Sequence, residues 1–345
     1  MYQKASQARR FFIEAESGDS RSKAGLSEAQ QLVSSQTFAA DIARGMSSRQ
    51  KYIPSKYLYD QVGTALFETI TLLREYNCTR AEQRLLLSAR NKIFELLSTA
   101  ITIVELGAGN GAKASTLLSA FSGTQQIDFH NIDISESAIE LCRQTLSPLT
   151  NIRCIGHVCD FKSGLQKAVS RRKKNKPMLV LFLGSSIGNY EPAEALDLLR
   201  QIRSCLIPGD FFLLGTDLVK PVEQLIEAYD DAAGVTAAFN KNILVRINHQ
   251  LQANFDPRRF KHLAKWNSDA SRIEMHLLSL RKQEIDLKGL SMKLELGRGE
   301  SIHTESSHKY HPGEIAALGA KAGFSLSFQW LDEDALFASN LFAAV

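Results

Sequence analysis

Cysteine is scarce and unpatterned in this 345-residue chain: Cys78, Cys142, Cys154, Cys159 and Cys205 are odd in number and show no CxxC pair. That excludes a disulfide framework and a zinc or dithiol-redox motif, leaving free thiols. No apolar run approaches the ~20 residues of a membrane span, and the N-terminal stretch MYQKASQARRFFIEAESGDS lacks a signal-peptide core. The expectation is a soluble cytoplasmic protein that binds no membrane. Charge of one sign is also missing, since 41 Lys+Arg against 37 Asp+Glu leave +4. Such a balance argues against a nucleic-acid binder. The one dense basic run, Arg171, Arg172, Lys173, Lys174 and Lys176, reads as a solvated loop before a strand.

What is present is a globular composition, 44% hydrophobic and 23% charged, in a chain long enough for about two domains. Residues 1–27 are polar apart from Phe11, Phe12 and Ile13 and read as a loose extension or an N-terminal helix. From Ala81 to Leu218 short apolar runs alternate with helical patterns, the rhythm of a parallel α/β sheet with strands buried on both faces. Strands are expected at Ile101–Leu106, Ile127–Ile132, Ile152–Val158, Met178–Gly184 and Phe211–Asp217, with helices at Lys113–Phe121, Ser135–Thr145, Phe161–Val169 and Pro192–Cys205. From Lys220 to His308 two helical patterns and further strands break this rhythm. The closing FSLSFQWLDED and ALFASNLFAAV predict an antiparallel hairpin at the sheet edge.

VELGAGNGAKAS places Gly107, Gly109 and Gly111 between a strand and a helix, where missing side chains let backbone approach a ligand. The spacing fits a dinucleotide as well as S-adenosylmethionine. Three neighbours favour the latter. Glu105 can meet the ammonium of a methionine moiety, Asp133 can take both ribose hydroxyls, and Asp160 with Phe161 can offer a carboxylate and a ring to adenine. With the hairpin, this order resembles a class I S-adenosylmethionine-dependent methyltransferase. FLGSSIGNYEP carries no proline pair of the kind that holds a flipped base, so a small-molecule acceptor is expected.

KYLYDQVGTALFETIT, REYNCTRAE, VELGAGNGAK, FLGSSIGNY, GTDLVKP, AYDDAAGVTAAFNKN, FDPRRFKHLAKWN, RIEMHL and IHTESSHKY resemble, in order and spacing, the histidine-specific Nα-methyltransferases of ergothioneine biosynthesis. The resemblance runs from about Glu28 to the C-terminus. It implies trimethylation of L-histidine to hercynine, with S-adenosylmethionine as donor, no metal and a monomer. A related branch of the family methylates tryptophan or prenylated tryptophan. It also implies a Rossmann-like core at 81–219 and 309–345, and a discontinuous α+β substrate-binding domain from 28–80 and 220–308.

Residue by residue, the resemblance implies Asn189 and Tyr229 at the substrate carboxylate, and Glu305 and Ser307 at the imidazole, with Met275 beside the ring. Tyr59 and Tyr76 would lie near the amine and the cofactor, Tyr59 being a candidate proton acceptor, and Lys113 would reach the cofactor. One departure stands out: EYNCT has Asn77 and Cys78 where the family has an aromatic and a proline, which calls the rigidity of that loop into question.

Overall fold

The computed structural model describes residues 36–97, 101–121, 126–173 and 176–345. The extension 1–27, the first residues of the 28–80 segment and Lys174 lie outside them.

The five expected strands form at Thr102–Leu106, Ile127–Asp133, Ile152–Val158, Met178–Phe182 and Phe211–Asp217, all parallel. Thr102–Leu106 and Met178–Phe182 are buried at every position, which is why each reads as a continuous apolar run. The hairpin of Phe324–Asp332 and Phe337–Ala344 completes the sheet, the last strand running antiparallel to Phe211–Asp217. Counted in chain order, the strands lie 3-2-1-4-5-7-6 across the sheet, the arrangement of a class I methyltransferase. The order turns back between Thr102–Leu106 and Met178–Phe182, and ligands of open α/β sheets bind at the carboxyl ends of strands at such a switch point.

A second, four-stranded sheet runs Lys51–Tyr52, Ser301–His308, Arg272–Ser279, Phe260–Asn267, and a separate hairpin pairs Gln283–Leu287 with Met292–Leu296. The helices 36–47, Gln61–Leu72, Val222–Tyr229 and Val235–Leu251 share its core, through Ile42, Ile70, Leu225 and Ile243 among others. Cys78–Leu96 joins the two bodies. Its first turns set Cys78, Ala81 and Leu85 in the core of the second sheet, while Leu86, Ala89 and Ile93 enter that of the first. No helix among the described residues is long and apolar enough to cross a membrane.

Two local readings are corrected. Cys78, Thr79 and Arg80 open this helix rather than extending a loop, and Arg80 ties the preceding turn by donating to the carbonyls of Leu73 and Arg74 at 2.7 and 2.6 Å. The loop therefore gets from Arg80 the fixation that a proline would supply. The basic run, likewise, is not simply solvated. Arg172 clasps the fully buried Asp210 at 2.6 and 2.5 Å, and Asp210 also accepts from the backbone N–H groups of Met178 and Ile207, both at 2.9 Å.

Removing that carboxylate would leave a largely buried guanidinium without its partner. Asp210→Ala should cost about 3 kcal/mol of folding stability in urea denaturation; a loss under about 1 kcal/mol would show the pair to be marginal.

Candidate active site

The glycine turn begins where Thr102–Leu106 ends. Gly107, Gly109 and Gly111 take φ of +73°, +53° and +76°, a left-handed path that side-chain-bearing residues rarely follow. A Cβ at Gly111 would lie 2.6 Å from Cys142 Sγ, so glycine is required there for packing as well. Phe161 stands over the turn, its ring edge 3.5 Å from where a Cβ on Gly107 would be.

Glu105 is buried beside the turn, and its Oε2 has no hydrogen-bond partner. Burial pushes its pKa up to about 8, with Lys113 opposing the rise in part. Asp133, at the end of the neighbouring strand, is likewise raised by burial while Oδ1 accepts from the Ser135 N–H at 2.9 Å. Asp160, expected to offer a carboxylate to adenine, has a structural task as well. It caps helix Phe161–Ser170, Oδ1 accepting from Ser163 N–H at 2.9 Å and Oδ2 from Ser163 Oγ at 2.7 Å.

Lys113 turns toward a residue that the sequence reading did not single out. Its Nζ lies 2.7 Å from Glu82 Oε2, and the completely buried Glu82 carboxylate also accepts from the Gly184 N–H at 2.9 and 2.8 Å. Glu82 sits on the helix that joins the two bodies, in the quoted segment REYNCTRAE. Its signal was faint: one acid at an otherwise apolar helix position. Glu68 adds another carboxylate at the rim, bonded to Asn110 of the turn. The turn is thus edged by Glu68, Glu82, Glu105 and Asp133 against a single lysine, a charge pattern suited to a cationic ligand. Glu105 Oε2 in particular matches the ammonium group of S-adenosylmethionine, and the missing Cβ atoms leave room for its approach.

The second group of expected residues converges opposite. The sheet places Glu305 across from Met275 and Ser307 across from Ile273, after a bulge at Thr304 that resets the strand's alternation. Beyond the bulge, Glu305, Ser307 and Lys309 face one side. Tyr229, from helix Val222–Tyr229, donates to Ser307 Oγ at 2.7 Å. Asn189 ends the short turn Ser186–Asn189, which reaches this strand because Gly188 has no side chain: a Cβ there would lie 2.8 Å from His308 O and 3.6 Å from Ser307 Oγ. Tyr76 stacks edge-on to Tyr229, centroids 6.4 Å apart, and Tyr59 contacts Phe67 and Phe239 at 5.4 Å each. The two hydroxyls expected at opposite ends of a substrate, those of Tyr229 and Ser307, are therefore hydrogen-bonded to each other.

Glu305 is 7% exposed, its Oε2 has no partner, and burial pushes its pKa up to about 7, Lys309 opposing. Burial raises the Tyr59 pKa well above the usual tyrosine value, and Glu305, Tyr229 and Asp133 add to the rise.

A profile described as histidine-specific methyltransferase, SAM-dependent, matches residues 38–344. The chain belongs to that family. Among its relatives, the histidine N-alpha-methyltransferase of Mycolicibacterium smegmatis is 39% identical over 307 residues, 87% of this chain and 93% of the relative. That of Mycobacterium tuberculosis is 37% identical over 305 residues, 88% and 94% of the two chains. A 4-dimethylallyltryptophan N-methyltransferase of Claviceps purpurea is 24% identical over 312 residues, covering 85% and 90%. In this methyltransferase the residues expected from the resemblance fall into two groups, one at the glycine turn and one beside the second sheet, and Tyr59 feels charged groups of both.

Both buried glutamates carry a folded-state pKa above the unfolded one, so each favours the folded state at low pH and that contribution is lost as pH rises through the folded value. In the ligand-free enzyme, Glu305→Gln should therefore raise stability at pH 8 by about 3 kcal/mol, an advantage that shrinks toward pH 5. Glu105→Gln should behave alike, its gain still growing between pH 7 and 8. Thermal melts across this range check both; equal melting at pH 8 would mean the carboxylates are better solvated than their burial implies.

Proposed function

We propose that the enzyme transfers methyl groups from S-adenosylmethionine to the α-amine of L-histidine, three in succession, to form hercynine for ergothioneine biosynthesis. The observation that carries this reading is the buried pair Glu305 and Ser307 on one face of the second sheet, with Tyr229 bonded to Ser307 and Tyr76 against Tyr229. A carboxylate and a hydroxyl spaced i and i+2 suit the two nitrogens of an imidazole, whereas an indole or phenyl ring would leave Glu305 buried and unpaired. Residues 28–80 and 220–308 would form the substrate-binding part, and 81–219 with 309–345 the methyltransferase core, acting in the cytoplasm as a monomer.

At the cofactor end, Glu105 would hold the methionine ammonium, Asp133 the ribose, and Phe161 the adenine face beside the glycine turn of Gly107 and Gly109. Asp160, occupied as a helix cap, keeps its outer lone pairs for the adenine amino group. Lys113 would act on the methionine end while held by Glu82. When bound, the sulfonium supplies the electrophilic methyl group. What the chain contributes is alignment: Asn189 would donate to the substrate carboxylate beside Tyr229, whose own hydrogen is held by Ser307, while Met275 flanks the ring and Tyr59 and Tyr76 orient the amine toward the cofactor side.

The amine must lose a proton before each transfer. Tyr59 is a poor acceptor for it, because burial and the nearby Glu305 keep its hydroxyl protonated. The proton leaves to water, and Tyr59 serves as a neutral hydrogen-bonding partner. Tyr59→Phe should then lower kcat roughly tenfold with an unaltered pH profile; a shifted basic limb would return the proton to Tyr59.

Incubation with S-adenosylmethionine and a pool of amino acids, followed by mass analysis, tests the whole reading. Histidine should gain one, two and three methyl groups. Methylation of tryptophan with histidine untouched would overturn the substrate assignment. Glu305→Ala should lower kcat/KM for histidine by about 10- to 100-fold while cofactor binding is unchanged; loss of both would misplace Glu305.

A further inference from the structure

Lys309 is buried completely, and all three of its ammonium hydrogens are engaged: with Asp217 Oδ2 at 2.8 Å, Ser307 Oγ at 2.9 Å and Tyr229 Oη at 3.0 Å. It lies one residue past the strand that carries Glu305 and Ser307, and the sequence reading gave it no role. A lysine with no free hydrogen cannot bind a substrate directly. It can, however, decide what its neighbours offer.

A serine oxygen has two lone pairs and one hydrogen. Ser307 Oγ accepts from Lys309 and from Tyr229, so both lone pairs are taken and its own O–H has to donate elsewhere. Should the Tyr229–Ser307 bond run the other way, Lys309 still fills one lone pair on each oxygen, and the leftover hydrogen passes to Tyr229. That reversed arrangement would leave Ser307 showing a lone pair; the recorded one, Tyr229 donating to Ser307, turns the serine O–H outward. Glu305, two residues away on the same face, offers only acceptors when ionised.

We propose that Lys309 is a positioning residue that fixes this hydrogen-bond polarity, so that the acceptor pocket presents one donor beside one carboxylate and takes histidine with a neutral imidazole. This rests on the histidine reading above. A neutral imidazole has one N–H for Glu305 and one lone pair for the hydroxyl; an imidazolium, with two N–H groups, would set a hydrogen against a hydrogen. Lys309 is held for this task from every side. Asp217 and, through it, Lys220 face it from the central sheet, Cys78 from the joining helix, Tyr229 from helix Val222–Tyr229, and Glu305 from its own strand. His308 also feels Lys309, and burial lowers its pKa; Glu305, raised to about 7 by burial, is the group the ring meets, and an ionised Glu305 is what a ring N–H requires.

The test is binding of L-histidine to the enzyme loaded with S-adenosylhomocysteine, followed by calorimetry from pH 5.5 to 8, where the substrate's α-ammonium stays charged and no chemistry intervenes. For the wild type, Kd should weaken between pH 6.5 and 5.5 by about fivefold from protonation of the ring, multiplied by a further several-fold as Glu305 takes up its proton. Lys309→Met removes the polarising ammonium while Asp217 keeps Lys220 at 2.6 Å, so the carboxylate is not orphaned. In this variant Ser307 can turn a lone pair outward, and the acid weakening should lose the roughly fivefold share of the ring and keep only that of Glu305, while Kd at pH 8 rises about tenfold and S-adenosylhomocysteine affinity is unchanged. If Lys309→Met does not fold, Lys309→Met with Asp217→Asn takes its place. An acid limb as steep in the variant as in the wild type overturns the role of Lys309. Failure of the wild type to bind histidine at any pH would instead overturn the substrate reading.

Discussion

The two halves of this enzyme are joined through one buried ion cluster. Asp217, the last residue of a central strand, accepts from Lys309 on one oxygen and from Lys220 on the other. Lys309 follows the strand that carries the acceptor residues, and backbone bonds from Tyr310 N to Asp217 O and from Val219 N to Tyr310 O, both at 3.1 Å, close the same junction. A charge buried this deeply is tolerated only when paired and hydrogen-bonded, so its geometry admits little play. Fixing it sets the distance between the second sheet and the carboxyl ends of the first sheet's strands, where the glycine turn lies.

The site is built of groups that are costly to bury. Glu105 and Glu305 each have an oxygen without a partner inside the protein, and both are raised in pKa by desolvation. Packing alone would not select such residues; they make sense as places where a ligand supplies the missing hydrogen. The aromatic set Tyr59, Tyr76, Phe67 and Phe239 packs edge to face into an apolar surface that would give a reacting amine a dry surround in the proposed reaction.

Much of this was legible beforehand because the signals were local. Strands buried on both faces read as apolar runs, and two of them, Ile152–Val158 and Phe211–Asp217, begin and end where expected. The glycine turn announced itself by spacing, and the motifs around Tyr229, Glu305 and Asn189 carried the family resemblance. The misreadings were of residues whose roles depend on distant partners. Arg172 looked solvated because Asp210 is 38 positions away, and Glu82 passed unnoticed because Lys113 and Gly184 come from other elements. Asp160 carries a role the chain alone did not reveal, since a helix cap and a ligand carboxylate look the same at the start of a helix.

The sequence by itself determined the element types, the cofactor turn and the identities of the groups that would meet a donor and an acceptor, since these follow from periodicity, backbone freedom and side-chain chemistry within a few residues. Only the tertiary structure decided which of those groups are buried, which are already bonded to one another, and which way their hydrogens point. Ser307 shows the difference: in the chain it is a hydroxyl of either polarity, and it becomes a donor only because a lysine two residues on and a tyrosine from another helix fill its lone pairs.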